Sequence, residues 1–358
     1  MTNSRELTIK RKVYVGVSGG VDSSVALALL KEQGFDVTGV FLRVWSPDFL
    51  PCEWRDERRS AMRVCAQLGV PFRTLNCEEE YKKHIVDYMI SEYKKGRTPN
   101  PDVFCNKYIK FGVFLKKALE EGADFVATGH YAQIREIQGQ YFVQEAVDKD
   151  KDQSYFLAEL TQEELSHALF PIGHLKKQEV RVIAERCNLP TATKKDSQGL
   201  CFIGKIDMKD FLRHYIDVRP GKVLDSRGEI IGEHDGAELY TIGEGHGFTV
   251  YTKTPHDTKL FVIAKDLEAN TITLGEKTEA YARSEYMLTD IHTMVGDFDA
   301  KKVYFVRMRY RQMKMSCCIK KMDSHYALVL DIPQFGVASG QVAVIYDGDI
   351  VVGAGIVS

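Results

Sequence analysis

The sequence predicts an α/β protein in which an N-terminal doubly wound parallel sheet is followed by a small mixed or β-rich central domain and a C-terminal β-barrel. In the first half of the chain, strand-like and helix-like segments alternate, which is typical of parallel sheets covered by helices. After about residue 206, short strands separated by Gly, Asn and Asp turns take over. A second such block begins at about residue 281 and includes a strong hairpin turn at Tyr346–Asp349. We therefore expect three domains, at residues 1–205, 206–280 and 281–358.

The composition is that of an ordinary protein of 358 residues, with a formal net charge of −2. No apolar run approaches the ~20 residues of a membrane span, and the first twelve residues lack the apolar core of a signal peptide. We expect a cytoplasmic protein without membrane contact. The eight cysteines include no CxxC pair, so a zinc site, an iron–sulfur cluster or a disulfide framework is not expected. The charge itself neither supports nor excludes nucleic acid.

Hydrophobic periodicity gives the order of the elements in the first half. Strands are expected at 13–17, 36–44, 70–76 and 124–128, and a hairpin at 131–147. Helices are expected at 21–31, 56–68, 79–95, 109–121, 161–168, 176–187 and 207–215. The prolines and asparagines of residues 97–111 predict a loop. In such sheets ligands bind at the carboxyl ends of strands, where the loop after the first strand and the turn at Thr128-Gly129-His130 are expected to lie.

The stretch VYVGVSGGVDSSVALALLK, residues 13–31, is read as a strand, a glycine turn and a helix. This geometry directs unpaired backbone N–H groups and the positive end of a helix at one spot, which suits phosphate. Gly19 and Gly20 allow the backbone to approach an anion, and Ser18, Ser23 and Ser24 add hydroxyl donors. The loop lacks the lysine of a Walker A sequence. A serine-glycine turn without a ligand is the alternative.

Two further loops carry cysteines. In the first, Asp102 and Cys105 are three residues apart, so one turn can present a carboxylate and a thiol, and Lys107 and Lys110 would favour the thiolate. The second loop, residues 193–205, places Cys201 between Leu200 and Phe202. Only the fold can bring Cys105 and Cys201 together. The alternatives are two structural thiols and an Asp102 that caps a loop.

Several motifs together resemble one family. They are GVSGGVDSS at residues 16–24, NPDVFCNKYIKF at 100–111, ATGHY at 127–131, KDQSYFL at 151–157, DSQGLCFIG at 196–204, RYRQ at 309–312 and SGQVAVIYDGD at 339–349. SGGVDSS alone resembles the PP-loop ATP pyrophosphatases. The two cysteine motifs are more specific, and with them the chain resembles the bacterial-type tRNA-specific 2-thiouridylases over nearly its full length.

The resemblance implies the following site residues. Catalytic residues would be Cys105, Cys201 and Asp102. ATP would be bound by Gly16, Val17, Ser18, Gly19, Gly20, Val21, Asp22, Ser23, Leu42 and Gly129. The target base would contact Asn100, Pro101 and Asp102, and tRNA would contact His130, Lys151, Asp152, Gln153, Arg309, Tyr310 and Gln341. Arg307, Arg309 and Arg311 are expected on one side of a basic strand suited to phosphate. A solvated face is the alternative for that strand, and a core histidine is the alternative for His130.

The resemblance also implies the reaction. ATP with Mg²⁺ would adenylate the C2 oxygen of a wobble uridine, and AMP would leave. Asp22 is the candidate metal partner, and no metal is fixed by the protein alone. A persulfide on Cys201 would supply sulfur, and Cys105 would release it by forming a Cys105–Cys201 disulfide that a reductant resets. In an alternative order, hydrogen sulfide is freed first. Asp102 would act as general acid/base. Partners would be tRNA and a sulfur-carrier protein or cysteine desulfurase, with the chain a monomer.

One stretch departs from the family. Where the family has GQR-x-GL, this chain has Gly243-Glu244-Gly245-His246-Gly247-Phe248. This change bears on the partner surface and leaves the adenylation motifs intact. Two other functions remain open at this point. One is another PP-loop adenylating ligase, which would need a nitrogen source and no paired cysteines. The other is a catalytically silent tRNA-binding homologue.

Overall fold

The computed structural model describes residues 10–49, 54–195, 207–252, 258–278, 281–323 and 325–358. The chain divides into two compact units. The first unit comprises the residues up to Lys82 together with Phe104–Gly204, and the second comprises Lys83–Val103 and Lys205–Ser358. The segment Lys83–Val103 therefore leaves the first unit and belongs to the second.

A five-stranded parallel sheet with strand order β3-β2-β1-β4-β7 forms the centre of the first unit. Its strands are β1 (Lys12–Gly16), β2 (Asp36–Arg43), β3 (Phe72–Asn76), β4 (Phe125–Ala127) and β7 (Ala168–Leu169). Val13, Val15 and Val25 are among the fully buried residues of its core. The parallel sheet predicted from the alternation of elements is confirmed.

Helices and a hairpin complete the first unit. The helices of the first half are α1 (Val21–Glu32), α2 (Trp54–Leu68), α3 (Glu78–Tyr81), α4 (Asp87–Lys94), α5 (Pro101–Phe104), α6 (Phe114–Glu120), α7 (Gln162–Ser166) and α8 (Lys177–Arg186), with α4 and most of α5 in the second unit. The wider π-helical segments Lys82–Val86 and Cys105–Val113 join α3 to α4 and α5 to α6. The predicted hairpin consists of β5 (Ala132–Ile137) and β6 (Gln140–Glu145), and its turn residues Gln138 and Gly139 have positive φ.

The loop predicted over residues 97–111 is wrong from Pro101 onward, because the chain is helical from there. Pro101 is the first helical residue, where its fixed φ fits and its missing N–H costs nothing. The side-chain oxygen of Asn100 accepts a hydrogen bond from the N–H of Val103 at 3.4 Å, as a cap does. Proline and asparagine here start a helix.

The second unit contains helix α9 (Met208–Arg213) and two sheets. The central sheet has the order β10-β9-β8-β12-β11. Its strands are β8 (Gly221–Leu224), β9 (Ile230–His234), β10 (Thr249–Val250), β11 (Leu260–Asp266) and β12 (Thr271–Glu276). Six antiparallel strands follow in the order β13-β16-β15-β14-β17-β18, and the pairing of β13 with β18 closes them into a barrel. They are β13 (Arg283–Thr293), β14 (Tyr304–Arg307), β15 (Met315–Lys321), β16 (Tyr326–Gln334), β17 (Val342–Asp347) and β18 (Ile350–Val357).

The C-terminal barrel is thus confirmed, and β17 and β18 are joined at the predicted hairpin turn. The basic strand expected at 307–311 is wrong beyond Arg307, where β14 ends. Residues 309–312 form a turn in which the N–H of Gln312 donates to the carbonyl of Arg309, and Arg311 has φ of 62°. The side chain of Gln312 accepts from the N–H of Met308 and fixes this turn. Among the described helices, none has the length and apolar character needed to cross a membrane.

Candidate nucleotide and tRNA site

The loop after β1 has the predicted form. The strand ends at Gly16, and helix α1 begins at Val21, so the unpaired N–H groups of the first turn face the loop. Gly19 has φ of +75°, and a Cβ there would clash with the carbonyl oxygen of Glu57. The hydroxyl of Ser23 accepts a hydrogen bond from the N–H of Ser18 at 3.2 Å. This bond links the two ends of the loop beside the N-terminus of helix α1, which is the kind of place where anions bind.

The turn after β4 lies directly against this loop. Because β1 and β4 are parallel neighbours, their carboxyl ends meet at one edge of the sheet. A Cβ on Gly129 would lie 2.6 Å from the backbone nitrogen of Ser23 and 2.7 Å from the carbonyl carbon of Asp22. Only glycine fits this approach. Leu42, one residue before the end of the neighbouring strand β2, is buried, and its contact with adenosine stays a prediction.

Two lysines that the sequence analysis missed reach the loop. The Nζ atom of Lys177 lies 2.7 Å and 2.9 Å from the two carboxylate oxygens of Asp22. The Nζ atom of Lys194 donates to the carbonyl of Gly19 at 3.0 Å. Both lysines lie in short polar segments that are typical of a solvated surface. Nothing in the neighbouring sequence indicates their contacts with the loop, because these contacts span 155 positions for Lys177 and 175 for Lys194.

Tyr131 connects the ATGHY turn to the same carboxylate. Its hydroxyl donates to Asp22 at 2.8 Å. Its backbone is bound on both sides by Gln153, whose N–H donates to the Tyr131 carbonyl at 2.7 Å and whose side-chain oxygen accepts from the Tyr131 N–H at 3.0 Å. Tyr131 therefore links residues 151–153, which were predicted to contact tRNA, to the loop after β1: Gln153 binds its backbone, and Asp22 accepts from its hydroxyl. Its Asp152 is buried and accepts bonds from the N–H groups of Ala146 and Ser154.

His130 is buried in the first unit, with only 6% of its surface exposed. Its Nδ1 lies 2.7 Å from the hydroxyl of Thr128, and its Nε2 lies 3.3 Å from Nζ of Lys110. Burial, with the charge of Lys110 as the smaller cause, lowers the pKa of His130 well below its usual value. The ring is therefore neutral at neutral pH. Its predicted contact with tRNA stays a prediction.

Cys105 begins the π-helical segment Cys105–Val113 and is fully buried. Such segments are rare and occur often at functional sites. The lysines that were expected to favour a thiolate have other contacts: Lys107 pairs with the buried Glu159 at 2.9 Å, and Lys110 lies beside His130. Cys201 and its motif lie outside the described residues. The predicted pairing of Cys105 with Cys201 therefore stays a prediction.

In the second unit, the residues just before NPD are fixed by two distant segments. The N–H of Thr98 donates to the carbonyl of Ser339 at 2.8 Å, and the side chain of Gln341 donates to the carbonyl of Thr98 at 2.7 Å. The hydroxyls of Thr98 and Thr241 lie 2.9 Å apart. Gln341, Asn100, Pro101 and Asp102 thus belong to one connected part of this unit.

The altered stretch 243–248 lies beside the same segments. Glu244 accepts from the N–H of Thr241 at 3.1 Å and pairs with Lys209 at 2.7 Å, with 12% and 21% of the two side chains exposed. A Cβ on Gly245 would lie 2.9 Å from the ring of Phe261. The exposed Arg309 reaches the carbonyl of Ile242 at 3.5 Å, and Tyr310 is half-buried. Glu244 therefore stabilises this turn through a hydrogen bond and an ion pair.

Within the described ranges, no group of three or more His, Cys, Asp or Glu side chains is placed to hold a metal ion. Asp22 is the carboxylate that the phosphate loop offers. A metal there would have to share it with a bound polyphosphate, as Mg²⁺ commonly does.

Three family profiles match successive parts of the chain. They are described as tRNA methyl transferase HUP domain, over residues 11–205, tRNA methyl transferase PRC-barrel domain, over residues 209–276, and aminomethyltransferase beta-barrel domain, over residues 283–357. The first covers more than half of the chain.

Curated relatives match the chain almost from end to end. The tRNA-specific 2-thiouridylase of Nitrosomonas eutropha is 42% identical over 356 residues, which cover 98% of this chain and 99% of that protein. The corresponding protein of Halalkalibacterium halodurans is 42% identical, with 96% and 94% covered. That of Pseudomonas fluorescens is 41% identical, with 98% and 95% covered. Identity of this extent, across both units, shows that the chain belongs to the family of tRNA-specific 2-thiouridylases.

Proposed function

We propose that this protein is a tRNA-uridine 2-sulfurtransferase, which replaces the C2 oxygen of the wobble uridine by sulfur and converts ATP to AMP and diphosphate. The observation that carries the proposal is the identity of about 42% with 2-thiouridylases over nearly the whole chain. The motifs that the reaction needs, SGGVDSS, NPDVFC and SQGLCF, are all intact in this sequence.

In the first step, the uridine oxygen attacks the α-phosphorus of ATP and diphosphate leaves. The loop of residues 16–23 binds the phosphates through backbone N–H groups and the end of helix α1. Lys177 and Lys194 lie beside this loop, and their positive charges offset the negative charge that develops on the leaving diphosphate. Asp22 supplies a carboxylate for Mg²⁺, and Leu42 and Gly129 border the adenosine.

In the second step, sulfur replaces the activated oxygen. The terminal sulfur of a Cys201 persulfide attacks C2 and AMP leaves. The thiolate of Cys105 then attacks the inner sulfur, so that the bond between the two sulfurs of the persulfide breaks and its electron pair stays on the sulfur carried by the base. This leaves a Cys105–Cys201 disulfide, which an external dithiol reduces. Release of hydrogen sulfide before attack on the base is the other order of the same chemistry. Asp102 moves the proton as general acid/base.

Residues from several segments of the chain contact the tRNA. Asn100, Pro101 and Asp102 surround the flipped uridine. The exposed side chain of Arg309 is suited to phosphate, and Tyr310 is suited to stacking. Gln341, His130, Lys151, Asp152 and Gln153 complete the contact. A sulfur-carrier protein or cysteine desulfurase delivers the persulfide to a chain that acts as a cytoplasmic monomer.

The test is mass spectrometry of tRNA after incubation with ATP, Mg²⁺ and a persulfide or sulfide source. We expect a gain of one sulfur for one oxygen at the wobble uridine. Cys201→Ser should abolish this gain while ATP binding survives, whereas the half-buried Cys187 replaced by Ser serves as the control.

Three results would contradict this proposal. Thiolation that persists in Cys201→Ser would exclude the sulfur route, and a nitrogen-dependent product would identify another adenylating ligase. An absence of tRNA-dependent diphosphate release would identify a silent tRNA-binding protein.

A further inference from the structure

The carboxylate of Asp22 is held by two side chains that come from different parts of the first unit. Lys177 binds both carboxylate oxygens, at 2.7 Å and 2.9 Å, and the hydroxyl of Tyr131 donates to one of them at 2.8 Å. Asp22 lies in the first turn of helix α1, at the end of the phosphate loop. The carboxylate of the loop therefore has a cationic partner within the chain itself.

Lys177 is fixed in this position by its surroundings. It is the first residue of helix α8, and its backbone N–H donates to the carboxylate of Asp148 at 2.8 Å. Its ammonium group lies 5.7 Å from the centre of the Tyr131 ring, a favourable arrangement for a cation. Only 14% of its side chain is exposed, against 31% for Asp22. A pair with this degree of burial is screened less than a surface ion pair.

The proposed function requires a polyphosphate beside the same carboxylate. Two negative groups at one helix end repel each other unless a cation lies between them. In this structure Lys177 is the cation beside Asp22, and Mg²⁺ carries twice its charge. A metal ion that binds Asp22 before the nucleotide must first displace Lys177. The apparent affinity of the metal ion is then the intrinsic affinity multiplied by the fraction of molecules in which the Lys177–Asp22 pair is open.

We propose that Lys177 is the resident counter-ion of Asp22, that Mg²⁺ arriving with ATP takes its place on the carboxylate, and that the released ammonium group binds the phosphates. Tyr131 keeps the carboxylate in place throughout the exchange. This proposal rests on the proposed function for the identity of the nucleotide, but the exchange itself involves neither tRNA nor sulfur. It assigns Lys177 as a nucleotide-binding residue and Tyr131 as a positioning residue.

The test measures Mn²⁺ binding to the full-length, nucleotide-free protein by electron paramagnetic resonance, because Mn²⁺ is a spectroscopic substitute for Mg²⁺. The variants are Lys177→Met and Lys177→Gln, each alone and with Asp22→Asn. The control is Lys176→Met, which removes the same charge from the exposed neighbouring residue. Circular dichroism confirms folding, and the glutamine variant serves if the methionine variant does not fold.

We expect both Lys177 variants to bind Mn²⁺ about tenfold more tightly than the wild type and the control. Asp22→Asn should remove this gain. In the same variants the affinity for Mg²⁺-ATP should fall about tenfold, because a phosphate-binding cation is lost. Unchanged Mn²⁺ affinity in the Lys177 variants would overturn the proposal. A gain that persists with Asp22→Asn would also overturn it, since the metal would then bind elsewhere. Failure of tRNA thiolation would not affect either result.

Discussion

The side-chain amide of Gln341 donates a hydrogen bond of 2.7 Å to the carbonyl of Thr98, 243 positions earlier in the chain. Thr98 is two residues from Asn100, the first residue of the predicted base pocket. In the same segment, a Cβ on Gly340 would lie 3.0 Å from Cβ of Arg97. Gln341 was predicted as a tRNA contact, and in the structure it also holds the pocket segment in place.

Gln341→Ala should therefore loosen residues 97–100 and weaken tRNA binding by about fivefold, in keeping with the ~1 kcal/mol of one part-buried hydrogen bond. Hydrogen exchange of the amides of residues 97–100, measured without tRNA, should become faster. ATP affinity should not change. Gln334→Ala, at the end of a strand in the same barrel, is the control. If exchange is unchanged while tRNA binding falls, Gln341 acts by direct contact alone.

Gly129→Ala should weaken ATP binding by about tenfold or more, because the new Cβ would overlap the backbone at Ser23 and shift the phosphate loop. Isothermal titration with a non-hydrolysable ATP analogue measures the effect. Gly34→Ala is the control: it lies at the other end of helix α1, with open space around it and φ of +89°. This control should lower stability by about 1 kcal/mol without changing ATP affinity. Equal ATP affinity in both variants would contradict the close approach.

Tyr131→Phe should weaken ATP binding severalfold, since the Asp22 carboxylate loses one of its donors. Tyr14→Phe is a matched control, because Tyr14 is equally buried, at 3% exposure, and its hydroxyl donates to Glu121 at the same 2.8 Å. Each variant should cost about 1–3 kcal/mol of unfolding free energy, as expected for a hydrogen bond to a charged group. Only Tyr131→Phe should affect the nucleotide. Parallel loss of ATP affinity in both would indicate a general loss of stability.

The depressed pKa of His130 predicts an acid-side loss of stability. The folded protein holds the ring neutral, whereas the unfolded chain binds a proton below its usual pKa of 6.5. The unfolding free energy should therefore be fully present above pH 6.5 and fall as the pH drops toward the folded-state pKa. His130→Asn should flatten this slope, and the exposed His174→Asn should not. ¹⁵N spectra of the imidazole should show a neutral His130 ring at about pH 6. A charged ring at that pH would refute the prediction.

Glu244→Gln introduces the glutamine of the GQR-x-GL pattern, and it should destabilise this chain by about 1–3 kcal/mol. The reason is that the ammonium group of Lys209, with 21% of its side chain exposed, would lose the negative charge of its partner at 2.7 Å. Lys209→Met combined with Glu244→Gln should recover part of the loss in thermal unfolding, and Lys209→Met alone completes the cycle that gives the coupling energy. If the effects of the two single variants add up to that of the double variant, the pair contributes nothing to folding.

Local patterns predicted much of this molecule. The alternation of apolar segments predicted the parallel sheet, and the residues of 13–31 predicted its strand, glycine turn and helix. The position of ligand sites at the carboxyl ends of parallel strands predicted that the Gly129 turn lies beside this loop. The features that the sequence analysis missed depend on contacts between distant residues or on the position of a residue within its element. Lys177 acquires its role only through a partner 155 positions away. Pro101 was counted as a loop former, although proline at a first helical position favours a helix. The alternating charges of residues 307–311 indicated a strand, but the side chain of Gln312 closes them into a turn.

The segment Lys83–Val103 belongs to the second unit, most of which is made later, so this segment must wait for its partners during synthesis. Thr98 is made early, yet its backbone partners are Ser339 and Gln341, near the end of the chain. While the ribosome is still translating the barrel, the phosphate loop can already fold, but the segment before NPD lacks the contacts that shape it. A nascent or prematurely terminated chain would thus form the loop proposed to bind the nucleotide before it forms the segment proposed to receive the base.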